Sequence, residues 1–285
     1  MKNILVPTDF SKNADNALYY AIELAKKENA KLILLHAYNI KYESGAVPYS
    51  LIAEETAGLK KESNKQLKES CLKITHAGKI KYESLSIEGF TVDVILNISK
   101  EKEIDMVVMG TKGATGFSNV IFGSNTAKII EKAKCPIIAV PEDASFQSIK
   151  KITYATSYNH SDFRALKKIV EIAEPFNAQI NVLHISDNIE SPEIEKGLMK
   201  AFMEEVNHKI QYNNISFQIM RGENIEDALE EYIEEGSTNM LVMSTHHRNF
   251  FDKIFGKSVT KHMAYHTKIP LMAFHYNSKT SVKIF

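Results

Sequence analysis

The chain repeats itself, and this duplication constrains its fold more than any other feature. Four pairs of segments match in the same order: KNILVPTD with KKITYATS (150–157), LILLHAY with INVLHIS (180–186), MVVMGTKG with MLVMSTHH (240–247), and KCPIIAVP with KIPLMAFH (268–275). Each repeat is of the length of an ordinary domain and can bury its own core. The sequence therefore predicts two tandem domains of the same fold.

Within each repeat, short apolar runs alternate with helical patterns. The runs in the first repeat are NILVP (3–7), KLILLHA (31–37), IDMVVMG (104–110) and PIIAVP (136–141), with IKYESLSIE (80–88) as a further strand. Unbroken apolar runs are typical of parallel strands that are buried on both faces. Helical patterns follow the N-cap candidate Ser11 and fill about 50–77 and 93–102. We predict an α/β fold, an open parallel sheet with helices on both faces.

The domain boundaries follow from the repeat. We predict a first domain at 1–143, a second at 149–276, and a tail at 277–285, with a short polar link near Glu142–Ser148. The second repeat is about 14 residues shorter, and most of the loss falls between its second and third strands.

Composition narrows the function classes. The 285 residues include 35 Lys and Arg and 35 Asp and Glu, so no net charge attracts nucleic acid or a membrane surface. The two cysteines, Cys71 and Cys135, lie far apart, which suits a reducing compartment. Pro7 and Asp9 interrupt the first apolar run, so we do not expect a signal peptide. The sequence predicts a soluble, cytoplasmic protein.

A glycine-rich run, Met109–Ile130, follows the fourth strand of the first repeat. Gly110 has no side chain at the strand end, and Gly113 and Gly116 permit positive φ, which lets backbone N–H groups turn inwards. Gly123-Ser124-Asn125-Thr126 then stands where a helix begins, and such a start suits a phosphate. A flexible loop before a well-capped helix is an equal alternative on composition alone.

The spacing Gly110-x2-Gly113-x9-Gly123-Ser124 resembles the G-2x-G-9x-G-S/T signature of ATP-binding universal stress proteins. The opening ILVPTDFS, the strand end LLHA and the closing CPIIAVP are also similar to that family. The resemblance covers both repeats and implies a tandem two-domain member. It implies Rossmann-like, adenine nucleotide alpha hydrolase-like sheets of strand order 3-2-1-4-5, and pairing of the last strands, 136–140 with 270–274, as a pseudo-dimer. Homodimers of the tandem chain are an open alternative.

The resemblance also implies a ligand, ATP with or without Mg²⁺, and a set of contact positions in the first repeat. Asp9 would lie on the adenosine side, Ala37 beside the base, and the glycines near the ribose and the phosphates. The full set of residues that match family contact positions is Pro7, Thr8, Asp9, Ala37, Met109, Gly110, Gly113, Gly123, Ser124, Asn125 and Thr126.

The second repeat departs from the motif at almost every chemical position. Asp9 is replaced by Ser157, Gly110 by Ser244 and Gly113 by His247, and the bulky run HHRNFF (246–251) replaces a glycine-bearing loop. We therefore expect this repeat to bind no ATP and to serve as a structural or interaction module.

Two further patterns in the second repeat have ordinary interpretations. Gly256-Lys257-Ser258 imitates the end of a P-loop, but Phe251 stands where the first glycine should be. His262 and His266 have a spacing that can bind zinc, although surface or packed histidines are the default.

His36 and His184 occupy equivalent strand ends, and we expect a shared structural role because the repeat without the motif keeps the histidine.

Three function classes remain. An ATP-binding stress-response or signalling protein fits the first repeat, and a nucleotide-independent interaction or scaffold protein fits the second. An adenylating enzyme would carry SGGxDS or HxGH, and neither is present, so enzyme activity is at most slow ATP hydrolysis. We expect one adenine nucleotide per chain, held by the first repeat.

Overall fold

The computed structural model describes residues 1–40, 48–111, 123–156, 158, 160–186, 192–244 and 269–274. The described residues divide into two compact units, one reaching to Phe146 and the other beginning at Gln147. Each unit holds one repeat. No helix within these ranges is long and apolar enough to cross a membrane.

The first unit alternates strands and helices throughout. Its elements are β1 Asn3–Pro7, α1 Lys12–Glu28, β2 Lys31–Tyr38, α2 Tyr49–Ala77, β3 Tyr82–Glu88, α3 Thr91–Glu101, β4 Met106–Gly110, α4 Ser124–Lys132 and β5 Ile137–Val140. The strands are all parallel and follow the order β3-β2-β1-β4-β5, which confirms the predicted order 3-2-1-4-5.

The second unit repeats this arrangement. Its elements are β6 Lys151–Ala155, α5 His160–Ala173, a 3-10 turn Glu174–Phe176, β7 Gln179–Ser186, α6 Pro192–Lys209, β8 Ile215–Arg221, α7 Ile225–Glu235, β9 Met240–Ser244 and β10 Leu271–Phe274. The strand order is β8-β7-β6-β9-β10, again parallel throughout. The duplicated α/β fold is therefore confirmed.

The central strands explain why the apolar runs have no polar alternation. In β1, Ile4, Leu5 and Val6 are fully buried, and every residue of β4 is buried as well. In the first unit, α1 contacts α2 and α3 contacts α4, as expected when helices cover both faces of a parallel sheet. Burial on both faces is what requires an unbroken apolar strand.

Helix boundaries follow the predicted signals. Ser11 is the N-cap of α1, where its hydroxyl accepts a hydrogen bond from the Ala14 N–H at 3.2 Å. The helix ends at Asn29, a residue in the left-handed conformation. The shortening of the second repeat appears in its second helix, since α2 has 29 residues and α6 has 18.

The duplication extends to individual hydrogen bonds. The Asp105 carboxylate accepts bonds from the backbone N–H groups of Lys2 and Asn3, at the start of β1. In the second unit, the side-chain oxygen of Asn239 accepts the equivalent bonds from Lys150 and Lys151. Both repeats thus fasten the start of the central strand to the residue before the fourth strand.

Candidate functional site

The carboxyl ends of β1, β2 and β4 meet at one edge of the first sheet. Strand registers place Pro7 beside Leu35 and Gly110 beside Val140. The strand order reverses between β1 and β4, because the chain runs outward from β1 to β3 and then returns to β4. In open α/β sheets this point of reversal is where ligands bind. The predicted residues Pro7, Thr8, Met109 and Gly110 all lie at this edge.

A tight turn after β1 leaves the carboxylate of Asp9 exposed at the head of α1. The Thr8 N–H extends the strand pairing by donating to the Leu35 carbonyl at 2.8 Å, and the Thr8 hydroxyl accepts the N–H of Phe10 at 3.0 Å. Asp9 accepts bonds from the N–H and the hydroxyl of Ser11, at 3.1 and 2.6 Å. The turn therefore fixes the position of an exposed acceptor at the edge.

Ala37 is half-buried near the end of β2, and its neighbour His36 has a packing role. The His36 ring lies 4.5 Å from the ring of Phe10, centroid to centroid. In the second unit, the His184 ring lies 4.9 Å from the ring of Tyr158, which occupies the position equivalent to Phe10. This shared ring pair supports the structural role expected for both histidines.

A serine–histidine pair in the first unit was missed at the sequence level. His36 Nδ1 lies 2.8 Å from the Ser63 hydroxyl, which in turn lies 2.6 Å from the Ser86 hydroxyl. Ser63 is only 2% exposed, so it cannot reach a substrate as a nucleophile. The three side chains hold β2, β3 and α2 together.

Acidification should destabilise the first unit through His36. Burial lowers the pKa of His36 from its ordinary value, against a smaller opposing effect of Asp9. As pH falls below about 6.5, the unfolded chain takes up a proton that the folded state resists, so the free energy of unfolding decreases. Urea unfolding between pH 7.5 and 5.5 checks this. His36→Asn should show a smaller pH-dependent loss than the wild type, and an equal loss would contradict the assignment.

Gly110 is required by packing against α1. A Cβ atom at this position would lie 2.7 Å from Asn13 Oδ1 and 3.1 Å from the Asn13 carbonyl carbon. The sequence interpretation treated the missing side chain as space for a ligand. The structure shows that α1 occupies that space, so Gly110 lets α1 approach the end of β4.

Gly110→Ala should therefore destabilise the first unit by about 1–3 kcal/mol, because the new methyl group overpacks the contact with α1. Chemical unfolding followed by circular dichroism measures this. Gly58→Ala is the matched control: Gly58 lies inside α2 with nothing within 4 Å of its added Cβ, so alanine should stabilise that helix by up to about 1 kcal/mol. Equal effects at the two glycines would contradict the packing argument.

The start of α4 is joined directly to the end of β4. The Gly123 N–H donates to the Thr111 carbonyl at 2.6 Å, and the Thr111 N–H donates to the Val140 carbonyl at 3.0 Å. The Thr126 hydroxyl donates to the Gly110 carbonyl at 3.0 Å. Thr126 is 3% exposed, so its hydroxyl fastens the helix to the strand. These bonds join residues 110–111 to the first turn of α4.

The remaining groups at this helix start face solvent. Gly123 is the N-cap and supplies no side-chain cap, and the first turn contains no acidic residue. Ser124 and Asn125 are exposed. A helix N-terminus with this composition favours an anion through its N–H groups and its dipole. Gly113 and Gly116 lie outside the described residues, so their part in the predicted cradle stays a prediction.

The equivalent edge of the second unit is filled by a buried carboxylate that the sequence analysis missed. Asp162 is 1% exposed and accepts bonds from the hydroxyls of Tyr154 at 2.8 Å, Thr156 at 2.6 Å and Ser244 at 3.2 Å. The first repeat has Ala14 at the position of Asp162 and Gly110 at that of Ser244. The sequence did contain a signal for this network: a charged residue on the inner face of α5, where the first repeat has an alanine.

Other predictions for the second repeat cannot be compared with the structure. Ser157, His247, the run 246–251, Gly256-Lys257-Ser258, His262 and His266 all lie outside the described residues. Within the ranges that are described, no three His, Cys, Asp or Glu side chains group so as to hold a metal ion.

Comparisons with known proteins give a consistent result. The model of the universal stress protein family matches two stretches of the chain, residues 1–141 and 148–275. Universal stress protein MJ0531 of Methanocaldococcus jannaschii is 28% identical over 139 residues, which are 49% of this chain and 81% of that protein. Universal stress protein Slr1230 of Synechocystis is 23% identical over 294 residues, covering 96% of this chain and 100% of the relative.

A solved structure has the same tandem arrangement. A universal stress protein from Archaeoglobus fulgidus superposes with a TM-score of 0.72 and 18% identity, and the match covers 97% of both chains. At this identity the likeness concerns the fold alone.

Proposed function

Because the chain belongs to the universal stress protein family, we propose that its first repeat binds one adenine nucleotide, ATP, and that its second repeat binds none. The observation that carries this proposal is the direct junction of the uncapped start of α4 with the end of β4, through the bond from Gly123 to Thr111. This junction places the N–H groups of the first turn of α4 beside the point where the strand order reverses, the usual ligand position in such sheets.

The two parts of a nucleotide suit two parts of this edge. Asp9 is an exposed acceptor for the hydroxyl or amino groups of adenosine, and the half-buried Ala37 leaves room beside the base. Ser124 and Asn125 are exposed at the helix start, where they and the backbone would meet the phosphates. Gly110 and Thr126 support the site by joining β4 to its neighbouring helices. Mg²⁺ would enter with the phosphates, as it commonly does.

In the second repeat, the residues at the equivalent sheet edge favour the absence of a bound nucleotide. Asp162 and its three hydroxyl donors satisfy one another inside the protein. This supports a structural or interaction role for the second repeat.

The nucleotide would act as a signal and not as a substrate. The hydroxyl paired with His36 belongs to Ser63, which is buried, so this serine–histidine pair cannot attack a bound nucleotide. ATP binding in a stress-response protein then regulates its shape or its partners. A cytoplasmic location also stays a prediction.

Nucleotide released from freshly purified protein tests the proposal. The protein is desalted and denatured, and the supernatant is separated and identified by mass spectrometry. Purified protein is also titrated with ATP, ADP, cAMP and GTP. We expect an adenine nucleotide in the supernatant or saturable binding of added ATP. No release, and no binding at millimolar ATP, would favour a nucleotide-independent scaffold instead.

A further inference from the structure

The segment that leads out of the first repeat is docked on α1. The side-chain amide of Asn16 donates to the carbonyls of Pro141 at 2.8 Å and Ala144 at 2.6 Å, and the Glu142 carbonyl lies within 3.3 Å. Asparagine is a poor residue inside a helix, because its amide competes for backbone hydrogen bonds. At this position the amide satisfies carbonyls of another segment.

Apolar contacts complete this docking. The rings of Tyr20 and Phe146 meet edge to face, with centroids 5.0 Å apart. Ala144 and Tyr20 are each only 2% exposed. We call residues 141–146 the linker clamp. The sequence suggested a simple polar link at this place, whereas the structure shows a segment that packs as part of the first unit.

The two residues that anchor the clamp occur in the first repeat alone. Asn16 and Tyr20 correspond to Arg164 and Lys168 on α5, so the second repeat has neither the amide nor the aromatic ring at these positions. The equivalent helix of the second repeat therefore lacks both anchors.

Two short paths connect the clamp with the candidate site. In the first, the Thr111 N–H bonds to the carbonyl of Val140, the residue directly before the clamp. In the second, α1 carries Asn13 against Gly110, and the Asn13 amide lies 3.4 Å from the Thr111 hydroxyl. Asn16 lies one helical turn further along α1. Movement of residues 110–111 would therefore be transmitted to the clamp both through Val140 and through α1.

We propose that the linker clamp is the output element of the nucleotide site: bound nucleotide favours its docked state, and a docked clamp favours bound nucleotide. The inference rests on the nucleotide binding proposed above. Nucleotide held at the start of α4 fixes Gly123 and, through the bond between them, Thr111, which in turn fixes Val140 and the start of the clamp. By linkage, the two effects must be equal in size. The chain passes into the second repeat directly after the clamp. Binding of nucleotide therefore changes the mobility of the segment that connects the two repeats.

Hydrogen exchange and calorimetry on the full chain test this coupling. In the wild type, saturating ATP should slow exchange of the amides in 142–147. Asn16→Ala removes the amide donors without touching the nucleotide, and we expect its affinity for ATP to fall on the order of fivefold, with the exchange difference lost. Arg164→Ala, at the equivalent position of the second repeat, is the matched control and should leave the affinity unchanged.

The outcomes separate the two proposals. Saturable ATP binding with unchanged exchange in 142–147, and with equal affinity in wild type and Asn16→Ala, would overturn the coupling and leave nucleotide binding intact. The exchange experiment needs no variant, so it decides the matter even if Asn16→Ala folds poorly. Failure of ATP to bind the wild type at all would overturn nucleotide binding, and the coupling with it.

Discussion

Ser124→Asp should stabilise the first repeat slightly and weaken its binding of ATP at least tenfold. Ser124 is exposed in the first turn of α4, which has no side-chain cap and no acidic residue. A carboxylate at a helix N-terminus interacts favourably with the dipole and contributes about 0.3–1 kcal/mol. The same charge would stand beside the proposed phosphate position, where it repels the ligand. Isothermal titration with ATP and chemical unfolding measure the two effects.

A gain in stability together with a loss of ATP affinity shows that the substitution acts on the ligand site, because a structural defect would lower both. Ser124→Ala is the matched control: it removes the hydroxyl without adding charge, so we expect a much smaller loss of affinity. The loss in Ser124→Asp should also shrink for adenosine, which carries no phosphate. Unchanged ATP affinity in Ser124→Asp would show that the phosphates do not lie at the start of α4.

Asp162→Ala should destabilise the second repeat by about 2–4 kcal/mol without changing ATP affinity. The substitution leaves the hydroxyls of Tyr154, Thr156 and Ser244 without their shared acceptor in a buried place. Each buried polar group that loses its partner costs about 1–3 kcal/mol, and relief of the buried charge offsets part of the sum. Urea unfolding measures the change, and hydrogen exchange in β6 and β9 assigns it to the second repeat.

Tyr154→Phe provides a graded comparison, because it removes one donor and leaves Asp162 bonded to two hydroxyls. We expect a loss of about 1 kcal/mol, clearly smaller than that of Asp162→Ala. If Asp162→Ala kept full stability and acquired a second ATP site, the carboxylate would be a barrier to nucleotide and not a support of the fold.

The fold could be predicted because its signals are local or repeated along the chain. Strands such as β1 and β4 are buried on both faces, so their apolar runs carry no alternation and are easily recognised. Ser11 could be predicted as an N-cap because its bond reaches only to Ala14. The duplication then allowed each prediction in one repeat to be compared with the other.

The features that the sequence analysis missed depend on residues far apart in the chain. Asn16 bonds to carbonyls more than 120 residues away, and backbone carbonyls have no sequence signature. Asp162 gathers hydroxyls from β6 and β9, which come together only in the folded sheet. Gly110 was attributed to a ligand because a pattern cannot show that Asn13 fills the space beside it.

The number of adenine nucleotides bound per chain tests the central claim most directly. The chain is titrated with ATP and Mg²⁺ by calorimetry, and native mass spectrometry counts the nucleotides on the intact protein. The exposed start of α4 in the first repeat and the Asp162 network in the second together predict one nucleotide per chain. Two nucleotides per chain would contradict the account of the second repeat, and none at millimolar ATP would contradict that of the first.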